Sequence, residues 1–180
     1  MNPTFDEDIL LQRLRDPKTR PQAFSELVAA YSQPLYWHIR RMVLNHDDAD
    51  DVLQNTFVKA WTGIDGFLGN AKVITWLYRI ATNETLTFLS RTPSAVFEDS
   101  EAFAENLEAD PWFDGDAVQA RLQEAIQSLP PKQRMVFNMR YFEEMKYEKI
   151  SDILGTSVGA LKASYHQAVK KIYSFFEDDI

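Results

Sequence analysis

Between residues 21 and 44 the apolar positions Phe24, Leu27, Val28, Tyr31, Leu35, Ile39, Met42 and Val43 recur at intervals of three and four. That spacing lays them along one stripe of an α-helix, so a long core helix is expected there, with Pro34 as its kink. Thr4 and Glu7 have capping-box spacing and predict a first helix to about Arg15, ended by Asp16-Pro17. Asp47 or Asp48 is placed to cap a third helix to about Thr62, with Val52, Leu53, Phe57, Ala60 and Trp61 on its apolar side. The glycines of GIDGFLGN then force a loop. A fourth helix, from about Val73 to Ser90, carries Trp76, Leu77, Ile80, Leu86 and Leu89. Helical spacing resumes over 116–128, 131–141, 146–154 and 157–176, and Leu129-Pro130-Pro131 separates the first two of these. Strand-type alternation is absent from the sequence, so the expected class is all-α.

The segment 92–117 interrupts this pattern with two prolines, eight acids and no basic residue. Such a composition does not build a core of its own. The expected organisation is therefore two small helical domains, residues 1–91 and 116–180, joined by an acidic linker over 92–115. The bland reading of the linker is a solvated spacer. Phe97, Phe103, Trp112 and Phe113 keep a second reading in view, an acidic segment that masks a basic surface or enters a basic channel.

Composition narrows the chemistry. A 45% share of hydrophobic residues is ample for packed cores, and the absence of cysteine excludes disulfides, thiolate metal sites and cysteine nucleophiles. His38, His46 and His166 are far apart in sequence, so neither a zinc site nor any cofactor is expected. The chain opens on acids, and no apolar run approaches the ~20 residues that span a bilayer. A cytoplasmic protein without direct membrane insertion is the expectation. The net charge of -8 argues against a free-standing nucleic-acid binder. That total hides a division, however: residues 1–91 carry -1, 92–129 carry -8, 130–173 carry +4 and the last seven carry -3. Sign asymmetry of this kind suggests parts with different partners.

The basic part contains EKISDILGTSVGALKASYHQAVKKI, a short helix, a turn at Gly155 and a second helix capped by Thr156 or Ser157. On the second helix Val158, Leu161, Tyr165, Ala168, Val169 and Ile172 share one side. Gly159, Ala163, His166 and Lys170 lie opposite, with Lys162 and Gln167 alongside. Small residues followed by longer cationic ones suit a recognition helix, because the backbone approaches the major groove while the longer groups reach bases and phosphates. The ordinary alternative is a helical hairpin with solvated lysines.

Taken with DADDVLQNTFVKAW (48–61) and WLYRIATNETLTFLSR (76–91), this stretch makes the chain resemble the extracytoplasmic-function sigma factors, the small RNA polymerase initiation factors of bacteria. The resemblance covers nearly everything except the linker and the ends. It implies a sigma region 2 helical domain followed by a sigma region 4 helix-turn-helix domain. The first would bind core RNA polymerase through the clamp helices of its largest subunit, chiefly by Asp51, Gln54 and Asn55, while Asp48 and Asp50 suit helix-dipole capping better. Gly69, Asn70, Lys72, Arg79 and Asn83, in the loop GIDGFLGNAK and the helix after it, would hold the single strand of the minus-10 element. Trp76 is expected in the core. Thr82 and Ser90 stand where basic residues are common in the family, which implies fewer strand contacts from the helix, or contacts drawn from the loop. Ser157, Gly159, Lys162, Ala163, His166 and Lys170 would read the minus-35 duplex, largely through backbone and shape. The implied partners are core polymerase, including its second-largest subunit, promoter DNA and an anti-sigma factor. A competing reading is a helix-turn-helix regulator that binds duplex DNA without polymerase. An enzyme is disfavoured, since no nucleophile-base set, phosphate loop or metal-ligand spacing is found.

Overall fold

A computed structural model of the chain describes residues 5–43, 45–67, 69–92 and 117–178. The expected acidic linker, residues 92–115, lies outside them but for Thr92. Among the described residues the secondary structure is helical throughout: α1 (Glu7–Arg15), α2 (Arg20–Arg40), α3 (His46–Gly63), a 3-10 turn (Ile64–Gly66), α4 (Val73–Arg91), α5 (Ala117–Gln127), α6 (Pro131–Tyr141), α7 (Tyr147–Leu154) and α8 (Val158–Glu177).

Two helix starts differ from the sequence reading. The α1 cap is Asp6, whose Oδ1 accepts from the backbone N–H groups of Asp8 and Ile9, both at 3.1 Å. Glu7 does not reach back along its own helix. Its Oε2 accepts from the backbone N–H of Val73 at 3.1 Å, at the start of α4, where Lys72 offers no side-chain cap. A carboxylate there satisfies an orphan donor and meets the positive end of the helix dipole. At α3 the cap is Asn45, accepting from Asp48 N–H at 2.9 Å, while Asp47 and Asp48 occupy the first turn.

Helix α2 runs unbroken through Pro34 but stops at Arg40, short of the expected Leu44. The chain turns there with Met42 and Val43 wholly buried, so these two residues fill the core from a turn. In α3 the buried positions are Ala49, Val52, Thr56 and Ala60, and the Thr56 hydroxyl donates to the Val52 carbonyl at 2.8 Å. Trp61, expected inside, is 42% exposed and packs edge-on against Phe24, with ring centroids 5.1 Å apart. The α3 stripe is therefore narrower than periodicity suggests.

In the second half, Gly155 closes α7 at φ +67°, a conformation that favours glycine, and Ser157 Oγ caps α8 by accepting from Ala160 N–H at 3.2 Å. Arg134, 3% exposed, sends its guanidinium to the carbonyl and side chain of Gln127 across the Pro130-Pro131 break. Desolvation lowers its pKa to about 10. Ile126, Leu129, Phe137 and Ala168 form a small core of their own. A larger apolar cluster runs from Leu14, Leu27, Leu35 and Leu77 to Met135, Met139, Ile150, Ile153 and Leu161. The two halves thus pack on each other, with α4 against α6 and α7.

Candidate nucleic-acid interface and protein-docking face

On α3, Asp51, Gln54 and Asn55 are all exposed, and their spacing of three and four puts them on one outward face. Val58, 61% exposed, continues that face by one turn. Asp50 is occupied differently: its Oδ2 lies 3.1 Å from Nε2 of His46, whose Nδ1 is 2.7 Å from the Tyr36 hydroxyl. Lys59, also on α3, pairs with Glu84 of α4 and fixes the two helices to each other.

The loop before α4 is held from below. Arg20 Nη2 meets Asp65 Oδ1 at 2.6 Å, and its Nε donates to the Leu14 carbonyl, so the 3-10 turn is tied to the α1–α2 corner. Gly69 sits at φ +77°, a position where any side chain would be strained. Asn70 and Lys72 are exposed beyond it. Trp76 is partly buried, its ring 4.8 Å from that of Phe67, and it also borders an open cleft of about 330 Å³ with Lys59, Ile80, Asn83 and Glu84. It is at once core and rim.

Arg79 and Asn83 do not join this loop group on equal footing. Arg79 Nε donates to the carbonyl of Asp152, at the end of α7, at 2.7 Å. Asn83 is exposed and also borders a second cleft, about 340 Å³, whose other walls include Lys132, Thr156 and Ser164 from the second half. Thr82 is 1% exposed, with its hydroxyl 2.9 Å from Nε2 of His38. A threonine there serves the interior through its contact with His38.

Helix α8 divides largely as its periodicity predicts, except that Val169, expected on the apolar side, is 42% exposed. Leu161 and Ala168 are buried, and Tyr165 stacks on Phe137 at 5.6 Å with rings 13° from parallel. Ser157, Gly159, Lys162, Ala163, His166 and Lys170 are exposed. A Cβ placed on Gly159 would meet nothing within 4 Å. Lys162 leans over the Tyr147 ring, 5.8 Å from its centroid. The helix offers a small, open N-terminal end and cations further along.

Sequence reasoning missed one group altogether. His38 is wholly buried, with Nδ1 2.7 Å from Oε1 of Glu143 in the loop after α6. Tyr78 lies edge-on to His38, with centroids 5.0 Å apart. Burial pushes the Tyr78 phenol well above its ordinary pKa, and nearby Glu143 adds to the rise. Burial also lowers the pKa of Arg41, against the opposing pull of Glu143. His38 shares the stripe of Leu35 and Ile39, which marks it as buried, but nothing local points to a partner 105 residues away.

Residues 27–93 match the sigma-70 region 2 family and residues 119–172 match sigma-70 region 4. In that order along one chain, the two define a sigma-70-type RNA polymerase sigma factor. The ECF RNA polymerase sigma factor SigW of Bacillus subtilis is 33% identical over 174 residues, which cover 89% of this chain and 93% of SigW. The chain belongs to this extracytoplasmic-function group. Its fold is shared by CnrH, solved in complex with the cytosolic domain of CnrY, at a TM-score of 0.70 and 24% identity over 97% of this chain and 99% of that one. It is shared too by the sigma factor RpoE of Bartonella quintana, solved with the anti-sigma factor NepR, at 0.66 and 22% over 87% and 98%. No described helix is long and apolar enough to cross a membrane.

Proposed function

We propose that this sigma factor makes core RNA polymerase promoter-specific by dividing the work among three surfaces. Asp51, Gln54 and Asn55 dock on the clamp helices of the largest subunit, where a carboxylate and two amides one turn apart make a directional polar contact. Gly69, Asn70 and Lys72, with Arg79 and Asn83, hold the non-template strand of the minus-10 element. The open cleft beside Trp76 suits an extruded base, and the cations suit the strand's phosphates. Ser157, Gly159, Lys162, Ala163, His166 and Lys170 meet the minus-35 duplex while the second-largest subunit holds that half in place. Melting driven by binding energy needs no covalent chemistry, so the protein acts without being an enzyme, in the bacterial cytoplasm. Each DNA surface is weak alone and becomes effective when polymerase fixes their separation. An anti-sigma factor is the natural antagonist of such a chain, as NepR is the partner of RpoE in the similar solved complex.

The observation that carries this reading is the α3 face. Its acids are sorted, with Asp47 and Asp48 at the helix start and Asp50 on His46, while Asp51, Gln54 and Asn55 face outward. A regulator that binds DNA alone has no use for that face. The test is run-off transcription with purified core polymerase on genomic promoter fragments. Specific transcripts are expected, and Asp51→Lys should abolish both transcripts and core binding while leaving the helical circular dichroism unchanged. Footprints formed without core, with no polymerase-dependent transcripts, would instead establish the regulator.

A further inference from the structure

We infer that α1 and the corner after it form a frame that positions the minus-10 strand loop, with Arg20 as its principal positioning residue. This rests on the assignment of Gly69, Asn70 and Lys72 to the strand, and adds the part of the chain that aims them. The frame lies ahead of the stretch that matches the region 2 family, which begins at residue 27.

Contacts from α1 and Arg20 reach the loop at its entry, middle and exit. At the entry, Arg20 Nη2 meets Asp65 Oδ1 at 2.6 Å on the 3-10 turn. In the middle, Arg15 Nη2 donates to the Phe67 carbonyl at 3.5 Å. Leu11 and Arg15 also lie under Gly69, where an added Cβ would stand 3.6 Å from Leu11 Cδ1 and 3.9 Å from Arg15 Nη2. At the exit, Glu7 Oε2 takes the Val73 N–H at 3.1 Å. A free loop loses backbone entropy for every residue it orders on a strand, whereas a loop held at three places has lost much of that freedom before DNA arrives. Asn70 and Lys72 remain exposed, so the frame aims them without covering them.

Arg20 suits this role because it is itself fixed. Its Nε donates to the Leu14 carbonyl at 2.6 Å and its Nη2 to that of Arg15 at 3.3 Å, both in the last turn of α1, where a helix leaves its carbonyls unpaired. One planar guanidinium thus closes the end of α1 and grips the loop. A surface ion pair ordinarily contributes little, since ordering two side chains offsets the attraction. Here one of the two is already ordered, its side chain only 17% exposed against 76% for Asp65. The pair therefore acts on where the loop sits, and removing the Asp65 side chain opens no cavity in the fold.

The test uses holoenzyme assembled from the full chain and core polymerase, on the genomic fragment that gives the strongest run-off transcript. Copies of that fragment carry single base-pair changes in the minus-10 and minus-35 elements, and open-complex formation is read on each. Asp65→Ala and Arg20→Ala should each flatten discrimination among minus-10 bases, on the order of ten-fold, with minus-35 discrimination and core affinity unchanged. The double variant should do no worse than Arg20→Ala, because the two side chains act as one unit. Arg20→Lys, which keeps the charge without the planar fork, should recover part of the loss. Full minus-10 discrimination in both alanine variants would overturn the frame and leave the sigma mechanism standing. A parallel loss at both elements and in core affinity would overturn it too, since that is the mark of a weakened fold. If Asn70→Ala and Lys72→Ala leave minus-10 use untouched, or no polymerase-dependent transcript appears at all, the strand assignment falls and the frame with it.

Discussion

Glu7 acts 66 residues away from its own position, on the first turn of α4. Its spacing from Thr4 suggests a local capping box, and a tertiary contact claims the carboxylate instead. Glu7→Ala should therefore cost about 1 kcal/mol, the usual worth of a helix cap, read as a lower urea midpoint with an unchanged slope. Tyr78 offers a second measurement. Its phenol ionises near pH 10 when unfolded but holds its proton in the fold, because burial and Glu143 both oppose the charge. The contribution is intact below pH 10 and falls as pH rises past it, since only the unfolded chain gains by releasing the proton. Tyr78→Phe should flatten the alkaline decline of the thermal midpoint in that window. Both residues show what a sequence pattern leaves open: it identifies a carboxylate or a buried ring without naming the neighbour.

At the level of elements, much was legible. The spans of α4 and α6, the breaks at Asp16-Pro17 and Pro130-Pro131, the turn at Gly155 and the division of α8 into buried and outward faces all follow from three-and-four spacing and turn chemistry. Local rules failed where several acceptors could cap one helix start and where an apolar stripe outran its helix. Asn45, a better-placed cap than Asp47 or Asp48, took the α3 start, and the α2 stripe continued past the helix into the turn of Met42 and Val43. Trp61 could not be assigned by angle alone, for Phe24 supports only one side of its ring. On α8 the outward face makes a graded prediction. Lys170→Glu should weaken use of the minus-35 element and reduce the salt dependence of open-complex formation by about one counterion, with core binding unaffected. Equal promoter use by the variant would remove Lys170 from the DNA face.

Across the whole molecule, the sequence announced a first run of helices, an acidic interruption and a second run, together with the polarity of each. It could not announce that His38 meets Glu143 or that Arg79 meets the end of α7, because such pairings depend on how two separately legible halves lie on each other. The charge totals are consistent with a chain whose DNA affinity is held low until polymerase supplies geometry. Within that design, α8 keeps its anchoring residues apart from the outward ones proposed to meet DNA. Leu161, Tyr165 and Ala168 hold the helix, while Gly159 stands in open space where a side chain would touch nothing. A substitution there costs the fold nothing in packing and gains helix propensity. Under the minus-35 contact proposed for Gly159, promoter preference at that residue is free to drift, and a duplicated copy of this gene would acquire a new set of target promoters before it lost its hold on the old polymerase.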